Sequence, residues 1–275
     1  MKSYLNEFKM NEMIDVLDEL PFWSAPFGFK LLDFINYKKN ITALDIGSGT
    51  GFPLIEIAMR LGNSSKVYGI DPWKEVLERI RKKINYYEIN NVTLIESSAE
   101  VIPLDDESID LITSNNGINN VTDIDKVISE CSRIMKKDGQ FVFTMNTELT
   151  MIEFYTQLES ILNEMKMESE VKLMHQHILN KRPPIKNILS LLNKYGFQIK
   201  DLEQAQFNYR FADGTSMFNH YFIRLAFISS WIKLLPEDKV EEIFDKIETR
   251  FNEQSIKYGE IKLSVPYAVF NTIKM

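Results

Sequence analysis

Three glycines at alternate positions, Gly47, Gly49 and Gly51, follow directly on the apolar run Ala43-Leu44-Asp45-Ile46. Glycine lets backbone pass close to a ligand and supplies the dihedrals that a tight strand-to-helix turn needs. A second apolar run, Val67-Tyr68-Gly69-Ile70, ends on Asp71. It lies close to the roughly 20-residue spacing at which an acid beyond a glycine turn accepts the hydroxyls of a ribose. Asp71 has a second reading, as N-cap of the next helix, because Pro72 suits a first helical position. The turn has a rival reading too, the dinucleotide fingerprint G-x-G-x-x-G. That pattern needs glycine or alanine at position 52. The chain has Phe52, whose bulk disfavours a pyrophosphate at an open helix N-terminus.

Further motifs follow in order: Ser98-Ala99-Glu100-Val101-Ile102-Pro103-Leu104 after a third apolar run, and Gly117-Ile118-Asn119-Asn120-Val121-Thr122-Asp123 after a fourth. Together with Leu44 to Gly51 and Gly69-Ile70-Asp71, they resemble class I S-adenosylmethionine-dependent methyltransferases. The second of these stretches, with Glu130 to Gly139, is similar to the ubiquinone/menaquinone-methyltransferase branch. The likeness covers about residues 40–146, and weakly 184–211.

The resemblance implies that S-adenosylmethionine is the cofactor and S-adenosylhomocysteine the product. Gly47, Ser48, Gly49, Gly51 and Phe52 would then line the methionine and ribose portion, with Asp45 near its ammonium group. Asp71 would bind the ribose, Pro72 or Trp73 would flank the adenine, and Ala99 would offer a backbone N–H to the adenine edge, beside Glu100. The family usually has an Asp before that alanine, and Ser98 stands there, which puts one adenine hydrogen bond in doubt. Ser114, Asn115 and Asn116 would close the pocket after the fourth strand. The family's Lys-Pro-Gly-Gly turn reads Lys137-Asp138-Gly139-Gln140 here, away from the ligand edge.

Methyl transfer from a sulfonium needs little protein chemistry. The cofactor brings the activated methyl and the protein supplies binding and alignment, worth about 7–11 kcal/mol through proximity. A general base is required only when the acceptor must lose a proton, so the lack of an obvious triad does not argue against an enzyme. His220 is the candidate base, with a near-neutral intrinsic pKa; the alternative is a hydrogen-bonded core histidine. Tyr209, Arg210, Asp213, Asn219 and Arg224, with Trp23 and Phe27, are candidate acceptor contacts. Ordinary ion pairing is the alternative for the two arginines. His175 and His177 lack nearby acids or thiolates, so they read as a solvated loop and no metal is expected.

The elements that must position these residues alternate. Apolar strands at Ala43–Ile46, Lys66–Ile70, Val92–Glu96, Leu111–Ser114 and Gln140–Met145 are interleaved with amphipathic helices near 53–61, 73–89 and 123–136. Such alternation predicts an α/β fold with a doubly wound, mostly parallel sheet; the resemblance makes it Rossmann-like and seven-stranded, with an antiparallel last strand. Residues 1–40 read as an N-terminal helical cap. Met10, Met13, Ile14, Leu17 and Leu20 fall at helical spacing there, Pro21 stops the segment, and Trp23 to Gly28 form an aromatic loop. The binding core is 41–146. Residues 147–211 carry helices near 148–166 and 185–195 and then strand six, Phe197 to Phe211. Residues 212–260 form a helical lid insertion, with an almost wholly apolar helix from Met217 to Leu235 and an amphipathic one from Pro236 to Tyr258. Residues 261–275 supply the final strand. Ligands bind beyond the carboxyl ends of such strands, so the insertion is expected to close over the acceptor.

Composition narrows the function class. The 275 residues carry 32 Lys and Arg against 39 Asp and Glu, a formal charge of −7. No basic stripe offers counterion release to nucleic acid. No run is long and apolar enough to span a membrane. A lone cysteine, Cys131, excludes a disulfide framework and a thiolate metal cluster. With no apolar leader at the start, a cytoplasmic enzyme acting on a small, apolar or aromatic acceptor is expected. The oligomeric state is left open. Two alternatives stand beside this reading: a nicotinamide-dependent oxidoreductase, and a non-catalytic S-adenosylmethionine-binding protein.

Overall fold

The central strands are short and mostly apolar, and they are largely buried, as a parallel sheet covered by helices requires. In the computed structural model, which describes residues 21–275, β1 (Thr42–Ile46) lies between β2 (Lys66–Asp71) and β4 (Ile109–Asn115). Both neighbours are parallel to it. β3 (Val92–Glu96) is the parallel edge strand beyond β2. On the other side β5 (Met135–Asn146) runs parallel to β4 and antiparallel to β7 (Ile261–Lys274), and β6 (Phe197–Phe211) lies outside β7. The order 3-2-1-4-5-7-6 is the expected seven-stranded, mostly parallel, doubly wound sheet. The strand order reverses between β1 and β4, the point at which such sheets open a ligand crevice.

The chain divides into two compact units. The sheet unit holds 21–146, 184–205 and 267–275 of the described residues. Its helices are α1 (Pro21–Phe34), α2 (Leu54–Leu61), α3 (Lys74–Tyr86), α4 (Ile124–Ile134) and α7 (Ile185–Lys194). Asp123 caps α4 by accepting the Lys126 N–H at 3.1 Å. That helix buries Val127, Ile128, Cys131 and Ile134, one stripe at helical spacing. Cys131 is fully enclosed there, and burial pushes its thiol up.

The helical unit holds 147–183 and 206–266 of the described residues. It contains α5 (Ile152–Glu164), α6 (Glu168–Lys181), α8 (Gly214–Asn219), a helical run α9 over 221–232, and α10 (Val240–Tyr258), together with the distal ends of β6 and β7. Phe154 and Trp231 stack at 3.5 Å between centroids, with Phe218 and Phe244 around them. None of the described helices is long and apolar enough to cross a membrane.

Several local expectations change. Trp23 to Gly28 is helix rather than loop, lying within α1. Burial of Phe27, Leu31 and Leu32 on one face outweighs the Pro and Gly signals. The Met10 to Leu20 pattern lies outside the described residues. His175 and His177 sit on α6, not in a loop. The Met217–Leu235 stretch is not one helix: the chain is extended at His220 (φ −65°, ψ 130°), and Arg224–Ile228 is a π-helical turn.

Helix α1 lies directly against the glycine turn through Gly28. A Cβ there would sit 2.3 Å from the Phe52 ring and 3.1 Å from the Asn115 amide nitrogen. Gly28→Ala ought to gain about 0.5–1 kcal/mol of helix propensity. Overpacking should reverse the sign and cost about 1–3 kcal/mol, read as a lower denaturation midpoint. A more stable variant would show that α1 does not pack on the turn.

Candidate active site

The parallel register of β1 and β4 puts Asp45 opposite Thr113. The Thr113 hydroxyl donates to Asp45 Oδ1 at 2.7 Å, deep in the sheet, where Asp45 is only 1% exposed. The other oxygen, Oδ2, is buried and has no hydrogen-bond partner. Burial pushes the Asp45 carboxyl up to about 7; the Thr113 bond works against this, and the nearby Asp71 charge adds to it. A buried acceptor without a donor is costly.

The glycine turn is held by the end of β2. Gly47 and Ser48 donate their N–H groups to Ile70 O at 2.9 and 3.1 Å, and Gly49 donates to Asp71 Oδ2 at 3.0 Å. Asp71 Oδ1 accepts the Trp73 N–H at 2.9 Å. Burial outweighs these two bonds and raises the Asp71 carboxyl above its usual range. Each carboxylate oxygen keeps a second lone pair, so the capping role of Asp71 coexists with acceptance of hydroxyl donors. Gly47 has φ +72°, and its missing Cβ is where Gly117 Cα passes, at 2.9 Å. Nothing stands over Gly49. The turn's N–H groups are thus largely spent on protein acceptors, and Pro53 precedes α2, which leaves a poor cradle for a pyrophosphate.

The other expected contacts divide. Ser114 is fully buried and donates to Ile46 O at 2.9 Å, so it braces strands. Asn115 bridges Ser24 O and the Thr144 hydroxyl. Asn116, in a left-handed conformation at φ +60°, accepts from Asn146 N and from Asn119 Nδ2. Glu100 clamps the neighbouring loop: against the desolvation of partial burial, N–H donors led by Thr122 hold its carboxyl below the usual range, and the Ser98 hydroxyl also bonds it. Ala99 is buried, Trp73 and Phe52 are half-buried, and Pro72 is exposed. Phe27 is fully buried between Trp23 and Tyr267, at 5.2 and 4.8 Å, which makes it core. Gln140, midway along β5, ties Phe34 O to Asn271.

In the helical unit His220 is ringed by Tyr209, Phe211 and Tyr221 at 5.8, 5.3 and 4.6 Å. Its Nδ1 is buried without a partner, so the alternative of a hydrogen-bonded core histidine is not what the described residues form. Burial lowers its pKa, leaving the ring neutral at pH 7. Burial also raises the Tyr209 phenol. Arg210 is exposed and salt-bridged to Glu260 at 2.6 Å, the ordinary ion pair. Asn219 donates back to Thr215 O on its own helix, and Asp213 caps α8. Arg224 is half-buried. His175 pairs with Glu159 at 2.9 Å. Among the described residues no group of three metal-ligating side chains is assembled. Thr113 and Gly28 were given no site role from sequence, because each acts through a long-range contact.

Residues 37–196 match the model of the methyltransferase domain family; that is more than half of the chain, which belongs to this family. The demethylmenaquinone methyltransferase of Geobacillus sp. (strain WCH70) is 34% identical over 120 residues, 44% of this chain and 51% of that protein. The chain spans about half the length of the curated relatives it matches. Among solved structures, the YcgJ protein of Bacillus subtilis aligns with TM-score 0.56 and 18% identity, over 90% of this chain and 97% of that one. A SAM-dependent methyltransferase from Aquifex aeolicus aligns with TM-score 0.51 and 21% identity, over 71% and 92%. These two likenesses carry the fold.

Asp45 dictates a pH signature. Its carboxyl is held at about 7 in the folded protein against 3.8 as an ordinary carboxylate, so between these values the native state keeps a proton that the unfolded chain releases. Stability of the ligand-free protein should therefore fall as pH rises from about 4 to about 7, then level off. Asp45→Asn should lack that slope. Denaturation midpoints at pH 5 and pH 8 measure it; parallel profiles would remove the argument.

Proposed function

We propose that the protein transfers a methyl group from S-adenosylmethionine to a small apolar or aromatic acceptor, and that it works in the cytoplasm. The buried, unpartnered Asp45 Oδ2 beside an open glycine turn carries the reading. It offers an anion where an amino-acid ammonium would enter, and Asp71 offers acceptors where a ribose would lie. Bound S-adenosylmethionine supplies an electrophilic methyl on a sulfonium. The chain's own part is to bind and align: Gly47, Ser48, Gly49 and Gly51 shape the floor, Phe52 and Trp73 wall it, and Asn115 and Asn116 fix the mouth beyond β4. Ser98, Ala99 and Glu100 flank the adenine end.

The name of the Geobacillus relative gives a quinone-type acceptor for that protein, and the proposal carries that acceptor class over to this chain. His220, neutral and with a buried nitrogen unengaged, is the proposed proton acceptor for substrates that lose a proton.

Calorimetric titration tests the reading. S-adenosylmethionine and S-adenosylhomocysteine should bind, NADH should not, and affinity for the first two should rise as pH climbs to about 7 and Asp45 ionises. Asp71→Asn should weaken both by about 1.5–3 kcal/mol. NADH binding in place of the sulfur ligands would favour an oxidoreductase instead. His220→Ala should lower kcat by roughly 10²–10⁴ and remove the acidic limb of its pH profile while leaving S-adenosylhomocysteine affinity unchanged.

A further inference from the structure

The helical unit contains a buried cation that its described residues leave unmatched. Arg182 is 8% exposed, and its Nη1 is buried with no hydrogen-bond partner. Among the described residues no carboxylate pairs with it. The Phe227 ring lies beside it, its centroid 6.0 Å from the guanidinium carbon. Taking a charge out of water without a partner is strongly unfavourable. The C-terminal dipole of α6 and a ring face at that distance compensate only a small part of it. The position is also fixed in advance. Arg182 ends α6 with its N–H on Ile178 O at 2.9 Å, and the proline that follows holds it out of helical geometry at φ −140°, ψ 81°.

The surroundings narrow the ligand. Phe227 packs on Phe222 and Trp231 at 5.8 and 5.3 Å between centroids, so the neighbourhood is apolar and planar. His177, five residues before Arg182 on α6, feels its charge; burial first, then the Arg182 and Lys181 charges, lower the His177 pKa and keep it neutral. The buried charge to be matched is therefore a single positive one. A guanidinium fork matches a carboxylate in two parallel hydrogen bonds, whereas a phosphate dianion would be left half-neutralised.

We propose that Arg182, with the Phe227, Phe222 and Trp231 rings, forms a subsite for the carboxylate of an apolar or aromatic small molecule. Only the naming of that molecule as the methyl acceptor rests on the preceding reading.

The test uses the full chain, as wild type and Arg182→Met, with benzoate, its neutral isostere benzamide, inorganic phosphate and S-adenosylhomocysteine as probes. Calorimetry and thermal melting are read together. Benzoate should bind the wild type and raise its Tm, benzamide and phosphate should not, and Arg182→Met should lose roughly 10–150-fold in benzoate affinity with S-adenosylhomocysteine affinity unchanged. Without ligand, Arg182→Met should melt at or above the wild-type temperature, since removing an unmatched buried charge relieves a cost. A variant that melts well below wild type would mean the arginine is a structural element and would overturn the proposal. So would equal benzoate binding by both proteins, no benzoate binding at all, or a preference for phosphate. Loss of S-adenosylhomocysteine binding in both proteins, with the benzoate pattern intact, would sink the methyltransferase reading and leave the subsite standing.

Discussion

The hydrogen bond from Thr113 to Asp45 ties the two strands at which the sheet reverses its order, and it leaves one carboxylate oxygen with nothing to do. Much of the site follows from that asymmetry. If both oxygens were satisfied, Asp45 would be an inert core acid with no use for a ligand. If neither were, the carboxyl would be free to turn and would not hold a direction. With one oxygen fixed by the β1–β4 register, the other points to a set place. The elevated pKa is the energetic record of its wait.

Around that acid, backbone approaches so closely that side chains are excluded. Gly47 and Gly117 meet without room for a Cβ, and Gly28 lets helix α1 lie against the Phe52 ring and the Asn115 amide. These contacts explain why the turn can stay open above Gly49 without collapsing. Its walls are braced from behind by α1, by the Ile70 carbonyl and by the Asp71 carboxylate.

What could be read from the sequence was what local signals encode. Apolar runs and alternate glycines mark β1, β2 and the turn, and Asp71 falls at the end of its strand by spacing alone. The pairing of Asp45 with Thr113 was hidden, because it depends on a register between strands far apart in sequence. Helix α1 was misread as a loop because Pro21, Pro26 and Gly28 are strong local punctuation, while the burial of Phe27 and Leu31 that overrides them is a tertiary effect. Helix α6 escaped notice because only Met174 and Ile178 are buried on it, too sparse a stripe to show periodicity. Arg182 was invisible for a deeper reason: nothing in its neighbours' identities says that this arginine, unlike Arg210, is enclosed.

The two units therefore share one design feature with opposite signs. The sheet unit keeps a buried acid short of a donor, and the helical unit keeps a buried guanidinium short of an anion. A free protein carrying both is less stable than its packing allows, and each deficit is removed only by a ligand of matching charge. Ligands that bind only the native state add their binding free energy to its stability, so occupancy of either place should tighten the unit that holds it. Swapping in neutral, well-packed side chains would give a more stable protein. It would also be one with no reason to prefer an ammonium at one place or a carboxylate at the other. The retained charges are best understood as specificity elements whose cost is borne by the ligand-free state.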